Sequence, residues 1–185
     1  MIAGGLFWLL MLRPSNLPRR EGTSHAAVGT KLSELKLQPL TGAGEPVNLS
    51  DLDGKVTLIN FWGTWCPPCI AEFPHIVQIA EEFEEHKEFQ FLSVSCGYDP
   101  SATVDELEES ILAFMNSRDV AIPTYADPEV ITRKALMRDA ASKSFGYPTT
   151  VLLVRSGVIQ AMWDNGYAPG LEKKIYIAVS ALLIP

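Results

Sequence analysis

Val56-Thr57-Leu58-Ile59-Asn60-Phe61-Trp62-Gly63-Thr64-Trp65-Cys66-Pro67-Pro68-Cys69 is the stretch on which the reading of this chain turns. Val56 to Phe61 is rich in β-formers and alternates little, as expected of a strand covered on both faces and lying centrally in a sheet. After the cysteines, Phe73, Ile76, Val77, Ala80 and Phe83 recur at helical spacing, and Glu81, Glu82, Glu84 and Glu85 fill the opposite side. That is an amphipathic helix with a solvated acidic face. Cys66 therefore stands between a strand end and a helix start, where free N–H groups and the helix dipole both favour a thiolate. Pro67 and Pro68 suit a first turn, whose N–H groups have no intrahelical partners, and they stiffen the loop. Cys69, one turn away, is close enough to attack a mixed disulfide at Cys66. Cys66 is thus expected to be an exposed nucleophile and Cys69 a buried resolver.

Working outward, Phe89 to Cys96 reads as the next strand, and the helix between the two strands makes a right-handed βαβ unit. The fold class is α/β. Val104 to Ser117 is a second helix, and Ala121 to Ala126 a short edge strand interrupted by Pro123. Val130 to Ala140 is a third helix. Thr149 to Val154 and Val158 to Trp163 form an antiparallel hairpin around Arg155-Ser156-Gly157. A last helix runs from about Gly170 to Leu183. Towards the N-terminus, the Thr41 to Pro46 turn cluster suggests a small hairpin leading into Asn48 to Leu52. Pro74 should kink the first helix.

The 185 residues are 47% hydrophobic, enough for one domain with a sizeable core. The formal charge of −7, with no basic cluster longer than Arg19-Arg20, argues against nucleic acid as a partner. Three cysteines are too few for a disulfide scaffold. Zinc needs about four ligands, and no second CxxC or HxxxH pair exists, so no metal is expected. The domain is expected over residues 31–185. Residues 1–30 read as an apolar segment followed by a linker. Met1 to Leu12 is apolar but shorter than the roughly 20 residues that span a bilayer. With Arg13, Arg19 and Arg20 behind it, the run reads as the remnant of a signal or anchor; the alternative is a disordered tail.

Taken together, Asn60 to Cys69, then Glu72-Phe73-Pro74 and Gly146-Tyr147-Pro148-Thr149, resemble the thioredoxin superfamily, and within it the TlpA/ResA-like branch of thiol-disulfide oxidoreductases. The resemblance covers about residues 31–183. It implies a thioredoxin fold: a central mixed sheet flanked by helices, with an N-terminal hairpin and an extra helix and strand at Val104 to Ala126. It implies exchange with protein disulfide substrates through a redox-active Cys66–Cys69 pair, with no cofactor. By resemblance, Pro148 is a cis-proline facing the dithiol, and the Tyr147 backbone pairs with an extended substrate segment. Where thioredoxin proper has a buried aspartate, this chain has Asn60. The branch assigns the proton acceptor to a glutamate three residues past the second cysteine, which is Glu72. Burial beside Trp62 or Phe73 would raise its pKa into a useful range; the alternative is an ordinary exposed helix glutamate. The branch also implies an extracytoplasmic, membrane-anchored protein, here expected to be monomeric, with a membrane electron donor.

Trp65 is expected on the apolar lip where substrates dock, beside Pro67, and Trp62 inside. Cys96 ends a strand on the active-site side; it is read as a small buried residue, with a redox role as the alternative. His75, His25 and His86 carry no functional assignment. A peroxiredoxin is disfavoured because Gly63 stands where that class needs threonine, and a copper module because no histidine follows His86. Within the exchange chemistry, oxidase or isomerase activity, or a redox-inactive binding module, stays open.

Overall fold

The computed structural model describes residues 22–99 and 102–183. The Met1 to Leu12 run and the arginines behind it lie outside the described residues. Eleven strands and helices follow in order: β1 (Lys36–Thr41), β2 (Val47–Asn48), β3 (Val56–Trp62), α1 (Pro67–Phe83), β4 (Phe89–Ser95), α2 (Val104–Asn116), β5 (Thr124–Ala126), α3 (Ile131–Asp139), β6 (Thr149–Leu153), β7 (Ile159–Trp163) and α4 (Leu171–Leu183). A short 3-10 turn, Leu49–Leu52, follows β2.

The strands form one sheet in the order β2-β1-β5-β4-β3-β6-β7. β3, β4 and β5 run parallel, as the helical crossovers between them require, and the other neighbours pair antiparallel. β3 is therefore central, and every one of its residues is buried.

Alternation along β3 decides what each face of the sheet carries. Val56 and Leu58 pack with Ile76, Ile79 and Phe83 of α1 and Leu171, Ile175 and Val179 of α4. Trp62 continues that face toward Cys69, Phe73 and Val77 of α1 and Ile111, Phe114 and Met115 of α2. Ile59 and Phe61 point the other way, onto Ala135 and Leu136 of α3. Each fully buried Val, Leu, Ile, Phe or Met side chain among these contributes roughly 1.5–3 kcal/mol relative to exposure. Asn60 has the parity of Leu58 and Trp62, so β3 delivers one polar side chain to the α1 face.

Two expectations change. The Ala121 to Ala126 strand is not at an edge: β5 lies between β1 and β4, and Pro123 precedes it rather than interrupting it. The N-terminal hairpin adds itself outside β5 and takes the edge. The expected linker also ends before Lys31, because Gly22 bonds Met162 in both directions, Gly29 N–H donates to the Ile159 carbonyl at 2.9 Å, and Ala27 is fully buried. These backbone groups are satisfied by β7, which a composition-based reading cannot foresee. As for Pro74, α1 runs on through it.

Candidate active site

β3 ends at Trp62 and α1 begins at Pro67, so Cys66 is the N-cap of α1. With prolines at the first two helical positions, the first N–H groups of the helix belong to Cys69 and Ile70. Ile70 N–H bonds the Cys66 carbonyl at 3.0 Å, and Cys69 N–H points at Cys66 Sγ at 3.3 Å. The one donor left over at this terminus is thus aimed at sulfur, in the geometry that stabilises a thiolate. The two cysteines are joined as a disulfide with their Cα atoms 5.2 Å apart.

In this bridged state Cys66 is 3% exposed and Cys69 1%. Cys66 is therefore not the exposed residue expected; both sulfurs sit in the apolar cluster of Trp62, Phe73 and Phe114, with Tyr147 packed against it. What is open to solvent beside them is Trp65 and Pro67. Trp65 lays its indole against Tyr147, ring centroids 5.3 Å apart, and donates Nε1–H to the Cys96 carbonyl at 2.8 Å. Trp62 is buried, donates to Ser93 Oγ at 2.8 Å and packs on Phe73. The Tyr147–Pro148 peptide is cis and Pro148 is buried.

Glu72 follows Cys69 by three residues on α1 and is 2% exposed. Its Oε2 accepts from Asn60 Nδ2 at 3.0 Å, and its Oε1 lies 3.4 Å from the donating Thr150 hydroxyl. Asn60 also donates to Thr150 Oγ1 at 2.9 Å, which closes a triangle. Burial raises the Glu72 carboxyl from 4.5 to about 7, and the two hydrogen bonds hold it back from rising further. A carboxyl titrating near neutrality can take or give a proton at working pH.

The sequence reading missed Thr150 and the part Asn60 plays. The signal was present: Asn60 is the one amide in the central strand, on the face it shares with Val56, Leu58 and Trp62, and the antiparallel register places it opposite Thr150. Cys96 is 2% exposed, and burial pushes its thiol up to about 11. His75 stacks on Tyr167, ring centroids 5.7 Å apart.

The Redoxin family profile matches residues 27–169. The chain belongs to the Redoxin family. Among relatives of this Redoxin protein is a thioredoxin-like protein, YneN, of Bacillus subtilis, 30% identical over 71% of this chain and 68% of its own length. The thiol-disulfide oxidoreductase ResA of Halalkalibacterium halodurans is 29% identical over 77% of this chain and 72% of its own. In architecture the chain is similar to a secreted thiol-disulfide isomerase of Corynebacterium glutamicum, with a TM-score of 0.64 at 22% identity over 83% of this chain and 86% of that one. The expected mixed sheet flanked by helices is therefore the observed fold, and the protein is a ResA-like member of the thioredoxin superfamily, in the class of thiol-disulfide oxidoreductases.

Proposed function

We propose that this protein is an extracytoplasmic reductant of protein disulfides. The observation that carries the reading is a bridged cysteine pair at the N-terminus of α1, one turn before a buried carboxyl poised near neutrality. In the dithiol form, the Cys66 thiolate attacks one sulfur of the substrate disulfide, and the other substrate sulfur leaves and takes up a proton. Cys69 then passes its proton to the Glu72 carboxylate and attacks Cys66 Sγ in the mixed disulfide. That expels the second substrate sulfur and closes the Cys66–Cys69 bond. Two electrons pass from the dithiol to the substrate. Trp65, Pro67, Tyr147 and Pro148 form the surface on which the substrate segment lies, with the Tyr147 backbone pairing to it as an added strand.

Location and supply belong to the same proposal. The resemblance to the TlpA/ResA-like branch supports a place outside the cytoplasm, and the apolar Met1 to Leu12 run supports attachment there. Among the described residues no helix is long and apolar enough to cross a membrane. A monomer would then receive its electrons from a membrane donor.

The direction of flow is tested by the reduction potential of the Cys66/Cys69 couple, equilibrated against a dithiothreitol series. A value near that of thioredoxin, roughly −270 mV, supports a reductant; one near the roughly −120 mV of a strong oxidase reverses the direction. Reduction of insulin, with Cys66→Ser as control, separates an enzyme from a binding module.

A further inference from the structure

A cavity of about 330 Å³ lies beside the dithiol, at the end of β4 and between the starts of α2 and α3. The proton and electron transfers above make no use of it. Its outer wall is aromatic: Trp65, 37% exposed, meets both Tyr98 and Tyr147 edge-on at 5.3 Å. Val104 and Leu107 of α2 form the facing wall.

Arg133 forms part of the inner wall, and its donors are committed. Nε donates to Asp127 Oδ2 at 3.1 Å, Nη2 to the Asp127 carbonyl at 2.7 Å, and Nη1 to the Tyr147 hydroxyl at 2.8 Å. Asp127 in turn accepts the backbone N–H groups of Thr132 and Arg133. The end of β5, the first turn of α3 and the residue before Pro148 are thereby one hydrogen-bonded unit.

Position and chemistry both suggest a use. Trp65 precedes Cys66 and Tyr147 precedes Pro148, so the cavity shares a wall with each loop of the exchange site. A polypeptide joined to Cys66 and running along the Tyr147 backbone passes its mouth. Arg133 inside disfavours a cationic side chain, while Asp99 and Asp127 in the lining disfavour an anionic one. Arg133 and Asp127 are already matched to each other, so this pair offers an open partner to neither sign. Aromatic and aliphatic walls around a space of this size favour a bulky neutral group.

We propose that this cavity is a specificity pocket that seats one bulky neutral side chain, aromatic or branched aliphatic, flanking the reacting cysteine of the substrate polypeptide. Arg133 is the positioning residue that holds Tyr147 as the shared wall. The pocket rests on the exchange chemistry proposed above.

The test mixes reduced protein with peptide–glutathione mixed disulfides in which the residues on either side of the cysteine are set in turn to Phe, Leu, Ala, Asp and Lys. Tryptophan fluorescence follows each reaction, and each rate is divided by the same protein's rate with bis(2-hydroxyethyl) disulfide. Phe and Leu should exceed Ala about tenfold at one flank, with Asp and Lys no better than Ala. Val104→Trp, which fills the cavity, should flatten the series. Arg133→Lys, which cannot bridge Asp127 and Tyr147 together, should reduce the Phe preference through KM rather than kcat. A flat series in the unmodified protein overturns the pocket whether or not the variants fold, and so does a preference that survives Val104→Trp. Failure to react with bis(2-hydroxyethyl) disulfide at all contradicts the exchange chemistry instead.

Discussion

The Asn60 carboxamide donates to the Glu72 carboxylate across 3.0 Å, with both side chains 2% exposed. A central strand and the active-site helix thus meet through polar groups where either neighbour of Asn60 in the strand would have offered only hydrocarbon. An unpaired buried carboxylate is costly, so burial pushes Glu72 toward its neutral form; the amide and the Thr150 hydroxyl pull it back. The result is an acid that changes charge near pH 7, three residues past Cys69 on α1.

Turnover should depend on that titration. For reduction of a protein disulfide, the rate should rise through an inflection near pH 7 as Glu72 ionises and becomes a proton acceptor for Cys69. In Glu72→Gln the inflection should disappear and the rate fall by about 10²-fold or more, the usual worth of a positioned base. Asn60→Val, which removes a donor to the carboxylate, should move the inflection upward. Stopped-flow rates from pH 5 to 9 decide this, and identical profiles in all three proteins would remove the role of Glu72.

Stability carries the same signature with a definite sign. Because the Glu72 carboxyl is raised on folding from 4.5 to about 7, the folded state favours the protonated form. Its contribution is fully present below pH 4.5 and is lost as pH rises to 7 and above, by about 3 kcal/mol at ~1.4 kcal/mol per unit. The oxidised Glu72→Gln protein should therefore gain on the unmodified one by about that amount between pH 4.5 and 8 in urea unfolding. A difference independent of pH would contradict the buried titration.

Gly63 backs the Trp65 lip. A Cβ there would stand 2.6 Å from the Cys96 carbonyl oxygen and would press on the Trp65 indole that bonds it. Gly63→Ala should push the indole off that carbonyl, shift tryptophan emission to the red and cost about 1–3 kcal/mol of stability. Unchanged emission and unfolding would show that the lip is not held this way.

Cys96 should stay silent. With the sulfur buried, facing the Tyr147 hydroxyl, and the thiol raised to about 11, alkylation of the reduced native protein at pH 8 should stop at two thiols. Unfolding in denaturant should release the third. Three fast equivalents under native conditions would give Cys96 an accessible, reactive state that this fold does not provide.

Local pattern carried most of the fold, because the strands and helices around the cysteines have strong periodicity and the CxxC lies at a strand-to-helix junction. The place of β5 was not legible, since three residues, Thr124 to Ala126, cannot show which strands will flank them. Nor was the docking of Gly22 to Thr30, whose partners on β7 lie well over a hundred residues away in sequence. At the site, Cys66, Cys69 and Glu72 stand on one helix and their spacing announces them. Thr150, and the Asp127–Arg133–Tyr147 unit, are assembled from separate elements by tertiary contacts, and no sequence spacing encodes those. The burial of Cys66 was not legible for the same reason: part of its cover, Phe114 and Tyr147, comes from residues distant in the chain.

The central claim is that Cys66 is the ionised sulfur at the head of α1 and Cys69 its resolver. The most direct test is the pH dependence of iodoacetamide labelling of the fully reduced native protein, with the modified cysteine identified by peptide mass mapping. Label should appear first on Cys66, with a midpoint at least one pH unit below the free value of about 8.5. First labelling at Cys69, or a Cys66 midpoint at or above 8.5, would contradict it.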